Sequence, residues 1–169
     1  DLETLDAGTW HSPEFAGESI PTLTAIAHYT LAHGIACNIE IKPTPGLETV
    51  TGTLVARQAQ QDWAGASTPP LLSSFSVISL KAAMIEAPEL PRGFLTDVLP
   101  ENWQQIMVDL KCVSIHLKHT SVTLEVVRRI HDAGYRVAVW TVNDPARARE
   151  LQNWGVDAVI TDALDSISP

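Results

Sequence analysis

The run VAVWTVNDPARARELQNWGVDAVIT, residues 137–161, contains one whole unit of the fold. Val137 to Val142 is a short apolar strand pattern bounded by Asn143. Asp144-Pro145 is a helix-start signal, Ala146 to Trp154 continues as a helix, and Gly155 stops it. Ala158 to Thr161 is then apolar again, so the unit reads strand, helix, strand. Working back toward the N-terminus, the same rhythm recurs. Further strands are predicted at Ile35 to Lys42, Leu71 to Phe75, Gly93 to Thr96 and Val113 to Leu117. Helices are predicted at Leu23 to His33, Gly52 to Trp63, Val77 to Ala87, Asn102 to Leu110 and Leu124 to Ala133. In the last of these, Leu124, Val127 and Ile130 fall at helical spacing, with Thr123 as N-cap and Gly134 just past the end. Six strand–helix units in alternation indicate α/β architecture with a parallel sheet and crossover helices. No glycine-rich phosphate loop follows any strand, so a dinucleotide fold has no support. An eight-stranded α/β barrel of the TIM type typically needs about 250 residues. Only six units are present, so an open six-stranded parallel sheet stays as the alternative. Residues 1–21, with Gly8, Pro13, Gly17 and Pro21, read as a loop leading into six units over 22–169.

Composition narrows the function classes. The 169 residues are 45% hydrophobic and 18% charged, against about 25% charged in an average soluble domain, which suits a packed core. A net charge of −9 argues against a nucleic-acid partner. No apolar run reaches the roughly 18 residues of a membrane span, so no membrane is expected. Cys37 and Cys112 lie in apolar segments and read as core thiols, which fits a reducing, cytoplasmic setting. The only methionines are Met84 and Met107, and the chain opens at Asp1. That suggests a fragment or a processed chain.

In parallel α/β folds functional side chains collect at the carboxyl ends of strands. Asn38-Ile39-Glu40-Ile41-Lys42-Pro43 is the strongest such end. Strand alternation puts Asn38, Glu40 and Lys42 on one face and Ile39 and Ile41 on the other. A carboxylate and an ammonium buried two residues apart would each need a partner, which a divalent cation beside Glu40 and a phosphate beside Lys42 would supply. A plain Glu–Lys pair on a solvated edge is the bland alternative. His116 falls on the polar face of Val113 to Leu117, as a ligand contact or as a core histidine satisfied by a hydrogen bond. Trp140 shares a face with Ala138 and is a pocket wall or core filler. Ser74-Phe75 ends its strand and Asp162 ends the last one, and both read as structural. His11, His28, His33, His119 and His131 are expected to face solvent. No nucleophile motif and no Cys or His metal cage is visible.

At Asn38-Ile39-Glu40-Ile41-Lys42-Pro43 the sequence resembles the glycerophosphodiester phosphodiesterase family, close to its cytosolic bacterial branch. The match runs on through Pro70 to Phe75, Ala87 to Gly93, Cys112 to Leu117, Thr141 to Asn143, Trp154 to Asp157 and Thr161-Asp162. The resemblance implies a (β/α)8 barrel of which strands three to eight are present. It implies metal-dependent hydrolysis of glycerophosphodiesters to sn-glycerol 3-phosphate and an alcohol. Glu40 matches a ligand of the family's magnesium or calcium, Lys42 the catalytic lysine beside the phosphate, and Trp140 an aromatic pocket position. Phe75 and His116 join Trp140 as substrate-binding candidates. The family's other metal ligands, in Glu-x-Asp, and its two catalytic histidines, in His-Arg-Gly and His-Asp, have no counterpart here. The one His-Asp, His131-Asp132, lies inside a helix. Asp1 is therefore expected to follow strand two. Each general acid–base step contributes about 10²–10⁴-fold, so the chain alone is expected to be inactive. Its open barrel edges are expected to promote self-association. A non-catalytic module that completes a barrel with a partner chain is the other reading.

Overall fold

The computed structural model describes residues 2–167. Six strands, β1 (Asn38–Glu40), β2 (Leu71–Ser74), β3 (Arg92–Thr96), β4 (Ser114–Lys118), β5 (Arg136–Trp140) and β6 (Ala158–Val159), form one sheet in chain order. All five pairings are parallel. The helices are α1 (Leu23–Ala32), α2 (Glu48–Asp62), α3 (Val77–Glu86), α4 (Trp103–Asp109), α5 (Leu124–Asp132) and α6 (Pro145–Asn153). A flat doubly wound sheet reverses its strand order at a switch point, and this sheet does not. Right-handed crossovers that always advance in one direction put every helix on the same face, so the sheet curls into part of a barrel. The open-sheet alternative is thereby set aside.

The convex face is the core. Ile115, Leu117, Val137 and Val139 pack with Trp103, Met107, Val127, Ile130 and Leu151, and Ile41 and Leu72 with Ala56, Ala59 and Ala83. The expected helix ends hold. Thr123 Oγ1 accepts from Val126 N, Asp144 Oδ1 accepts from Ala146 N, and Gly134 and Gly155 take the positive φ that closes α5 and α6. Cys112 is buried, which pushes its thiol up to about 12, as expected of an inert core residue.

Three expectations change. α2 begins at Glu48 rather than Gly52, because Gly52 is where α2 meets α3. A Cβ there would lie 2.4 Å from the Ser79 carbonyl oxygen. β1 keeps only Asn38–Glu40 of the predicted Ile35 to Lys42, since β2, its one neighbour among the described residues, pairs over just three positions. The leading loop is folded rather than formless. Asp6 accepts from the amides of Gly8, Thr9 and Gly17 and from the Thr9 hydroxyl, and it bridges Ser19. The Thr9 hydroxyl first, and then those amides, hold its carboxyl below the usual range.

At the amino end of the sheet, Asp157 ties α5 to β5. It accepts from Val137 N at 2.8 Å, Arg136 Nη1 at 2.7 Å and His131 Nε2 at 2.9 Å. Burial opposes its ionised form, yet these donors outweigh burial and hold its carboxyl below the ordinary value. A carboxyl depressed in the folded state stabilises above its unfolded pKa, and that stability is lost as pH falls through the folded one. Asp157→Asn is therefore expected to cost about 2 kcal/mol near neutrality. The difference from wild type should vanish in strong acid, as read from urea melts across pH. A constant difference at all pH values would contradict this account.

Candidate active site at the carboxyl end of the sheet

The concave face alternates as the sequence requires. Asn38 and Glu40, Leu71 and Ser73, Gly93 and Leu95, Ser114 and His116, and Ala138 and Trp140 point inward on successive strands. Glu40 ends β1, and Lys42 follows two residues on. The chain leaving β1 is stapled to the chain leaving β2. Ile41 N donates to the Ser73 carbonyl at 2.7 Å. Ser74 Oγ donates to the Ile41 carbonyl at 2.6 Å and accepts from Ser76 N. Ile41 itself is buried between sheet and helices. The residue between Glu40 and Lys42 is thus held to β2 through both its amide and its carbonyl. Ser74, buried and fully used in this staple, is a site-building residue that sequence reasoning passed over as merely structural.

Both charged side chains are exposed, so the expectation of a buried carboxylate and a buried ammonium is corrected. The edge position of β1 leaves them in water, which removes the desolvation penalty. Neither has a hydrogen-bond or ion-pair partner among the described residues. They border a cavity of about 360 Å³ lined also by Pro43, Ser74, Phe75 and Ser76.

Across the mouth, Phe75 meets Trp140 edge to face, with ring centroids 5.4 Å apart and planes at 81°. The indole is held in turn by its Nε1–H, which donates to the His116 carbonyl at 3.2 Å. Phe75 follows β2 and remains about half exposed. Glu40, Lys42, Phe75 and Trp140 are therefore all at the carboxyl end of the sheet. His116 is placed differently. Its ring is 2% exposed, lies below that rim, and its Nε2 is 2.9 Å from Ser114 Oγ. Burial lowers its pKa to about 4, so it is neutral at pH 7. Of the histidines expected to face solvent, His119 is half-buried and the other four are exposed.

A magnesium or calcium ion takes about six or more oxygens. Glu40 offers one carboxylate, and among the described residues no group of three or more His, Cys, Asp or Glu is placed to hold an ion. The residues described do not by themselves fit a full metal shell.

A lysine, a carboxylate and an aromatic pair stand at the carboxyl end of the sheet, the end at which barrel enzymes carry their sites. Comparison with known sequences is specific. The sequence profile of the Glycerophosphoryl diester phosphodiesterase family matches residues 1–166, and the chain belongs to that family. It is 29% identical over 173 residues to the Bacillus subtilis protein YhdW, covering 99% of this chain and 68% of that one. It is 28% identical over 172 residues to the glycerophosphodiester phosphodiesterase of Caldanaerobacter subterraneus subsp. tengcongensis, again over 99% and 68%. The structure superposes on that of an Oleispira antarctica phosphodiesterase in complex with its product sn-glycerol 3-phosphate. The TM-score is 0.90 at 35% identity, covering 96% of this chain and 65% of that one. The chain thus spans about two thirds of the length of these relatives.

Proposed function

We propose that this chain carries part of the site of an enzyme that hydrolyses glycerophosphodiesters to sn-glycerol 3-phosphate and an alcohol, acting in the cytoplasm. The observation that supports it most is the pair Glu40 and Lys42, unpartnered among the described residues and lining one cavity with Phe75, which meets Trp140. An exposed ammonium with no internal carboxylate is free to meet a phosphate oxygen, and Lys42 takes that role. Glu40 contributes one carboxylate toward a magnesium or calcium ion, which would supply charge to the phosphate when bound. Trp140 and Phe75 flank the carbon skeleton of the glycerol. His116 acts from beneath, through the carbonyl that fixes Trp140. The two parallel edges, β1 and β6, favour self-association of the chain. No helix among the described residues is long and apolar enough to cross a membrane.

Calorimetric titration of the purified chain with sn-glycerol 3-phosphate in calcium chloride tests this reading. Saturable one-to-one binding is expected, and no binding would overturn it. Turnover is a separate matter. Among the described residues no histidine lines the cavity beside Glu40 and Lys42, and His116 is buried below it. Residues 1–169 alone are therefore expected to release no measurable glycerol 3-phosphate from glycerophosphocholine. Release that Glu40→Ala abolishes would show that these residues suffice.

A further inference from the structure

Ser74 occupies a position where a parallel strand covered by helices ordinarily presents an apolar side chain. Alternation puts it on the helix side of β2, two residues after Leu72 and in register with Phe94, both buried in the core. Ser74 is itself 0% exposed. A hydroxyl buried there costs free energy unless it is hydrogen-bonded, and this one both donates and accepts. Ser74 Oγ donates to the Ile41 carbonyl at 2.6 Å and accepts from Ser76 N at 3.0 Å.

The two groups it bonds give this hydroxyl its reach. A peptide group is planar and moves as one body. The Ile41 carbonyl belongs to the peptide that leads into Lys42, and Ser76 N belongs to the peptide that leaves Phe75. The register of β1 with β2 ends at Glu40 and Ser73, and the Ile41 amide, donating to the Ser73 carbonyl, adds the last backbone rung. Past that rung, among the described residues, the Ile41 carbonyl is held to β2 by a side chain and not by the backbone. Lys42, Phe75 and Ser76 line one cavity with Glu40. The Phe75 ring in turn meets Trp140, with centroids 5.4 Å apart, so a turn of the Phe75 peptide carries over to the indole.

We propose that Ser74 is a positioning residue of this site. Its hydroxyl sets the Lys42 backbone and the Phe75 backbone relative to each other, so that the cation and the aromatic pair are presented together to one ligand. Being buried, it acts through these neighbours and not by contact with the ligand. The arrangement stands on the hydrogen bonds alone, and its effect on sn-glycerol 3-phosphate rests on the phosphodiesterase reading.

Spectra of the 15N-labelled free chain test the arrangement without any ligand. In Ser74→Ala the Lys42 and Ser76 amides and the Trp140 indole N–H are expected to shift or broaden. Lys42 and the Trp140 indole left at their wild-type positions would overturn the proposal. If Ser74→Ala does not fold, Ser74→Cys takes its place, since a thiol keeps the volume and weakens both bonds.

Calorimetry supplies the second arm. Ser74→Ala is expected to weaken sn-glycerol 3-phosphate binding in calcium chloride about tenfold in the wild-type background and about twofold in the Lys42→Met background. A residue that only stabilised the fold would weaken binding equally in both backgrounds, and that result would overturn the proposal. Absence of binding by wild type counts against the phosphodiesterase reading, and the free-chain spectra then decide on Ser74 alone.

Discussion

Lys42→Met is expected to weaken sn-glycerol 3-phosphate binding between tenfold and a hundredfold while leaving thermal stability unchanged. The reason is the exposure of Lys42 and its lack of any partner among the described residues. Removing it breaks no internal bond, so the folded state loses nothing. What it loses is a charge-assisted contact to phosphate, worth about 1.5–3 kcal/mol. Lys42→Arg should retain much of the affinity, since the charge remains. Calorimetry on wild type and both variants checks this. Equal affinity in wild type and Lys42→Met would remove Lys42 from the site.

Arg92→Leu is expected to cost about 3 kcal/mol of stability, through the loss of charged hydrogen bonds. Arg92 is 3% exposed and forms no ion pair with a carboxylate among the described residues. Its guanidinium donates instead to backbone carbonyls. Nε reaches Leu110 at 2.9 Å, Nη1 reaches Leu90, Pro88 and Ala87, and Nη2 reaches Lys111. Those carbonyls belong to the segments that leave α3 and α4, so one side chain closes both turns into the sheet. Leucine fills the volume and leaves the carbonyls unpaired. Lysine keeps the charge but cannot fork, so Arg92→Lys should recover only part of the loss. Melting followed by circular dichroism should show a fall of about 10 °C for Arg92→Leu. A fall of under about 2 °C would mean that water replaces the guanidinium without cost.

Local signals carried most of the fold. Thr123 with Gly134, and Asp144-Pro145 with Gly155, are helix boundaries that depend on their own few residues, and they stand where the sequence puts them. Gly52 was misread because a helix-interior glycine is locally unfavourable, and only contact with α3 explains it. In the site, the spacing of Glu40 and Lys42 was legible because strand alternation has a fixed period. Their exposure was not, since it depends on β1 standing at the sheet's edge. The Phe75–Trp140 contact joins β2 to β5, and the Ser74 staple joins β2 to the residue after β1. Neither is written in any local pattern. Arg92 was passed over for the same reason, because its partners come from two separate loops.

The central claim is that the carboxyl end of this sheet is where a glycerol phosphate binds. Amide and indole shifts of the 15N-labelled chain, followed as sn-glycerol 3-phosphate is added in calcium chloride, test it directly. Progressive shifts at Glu40, Ile41, Lys42 and Phe75 and at the Trp140 indole, with Arg136 and Asp157 unmoved, are the expected result. Shifts confined to the Arg136–Asp157 end of the sheet, or none at any concentration, would contradict it.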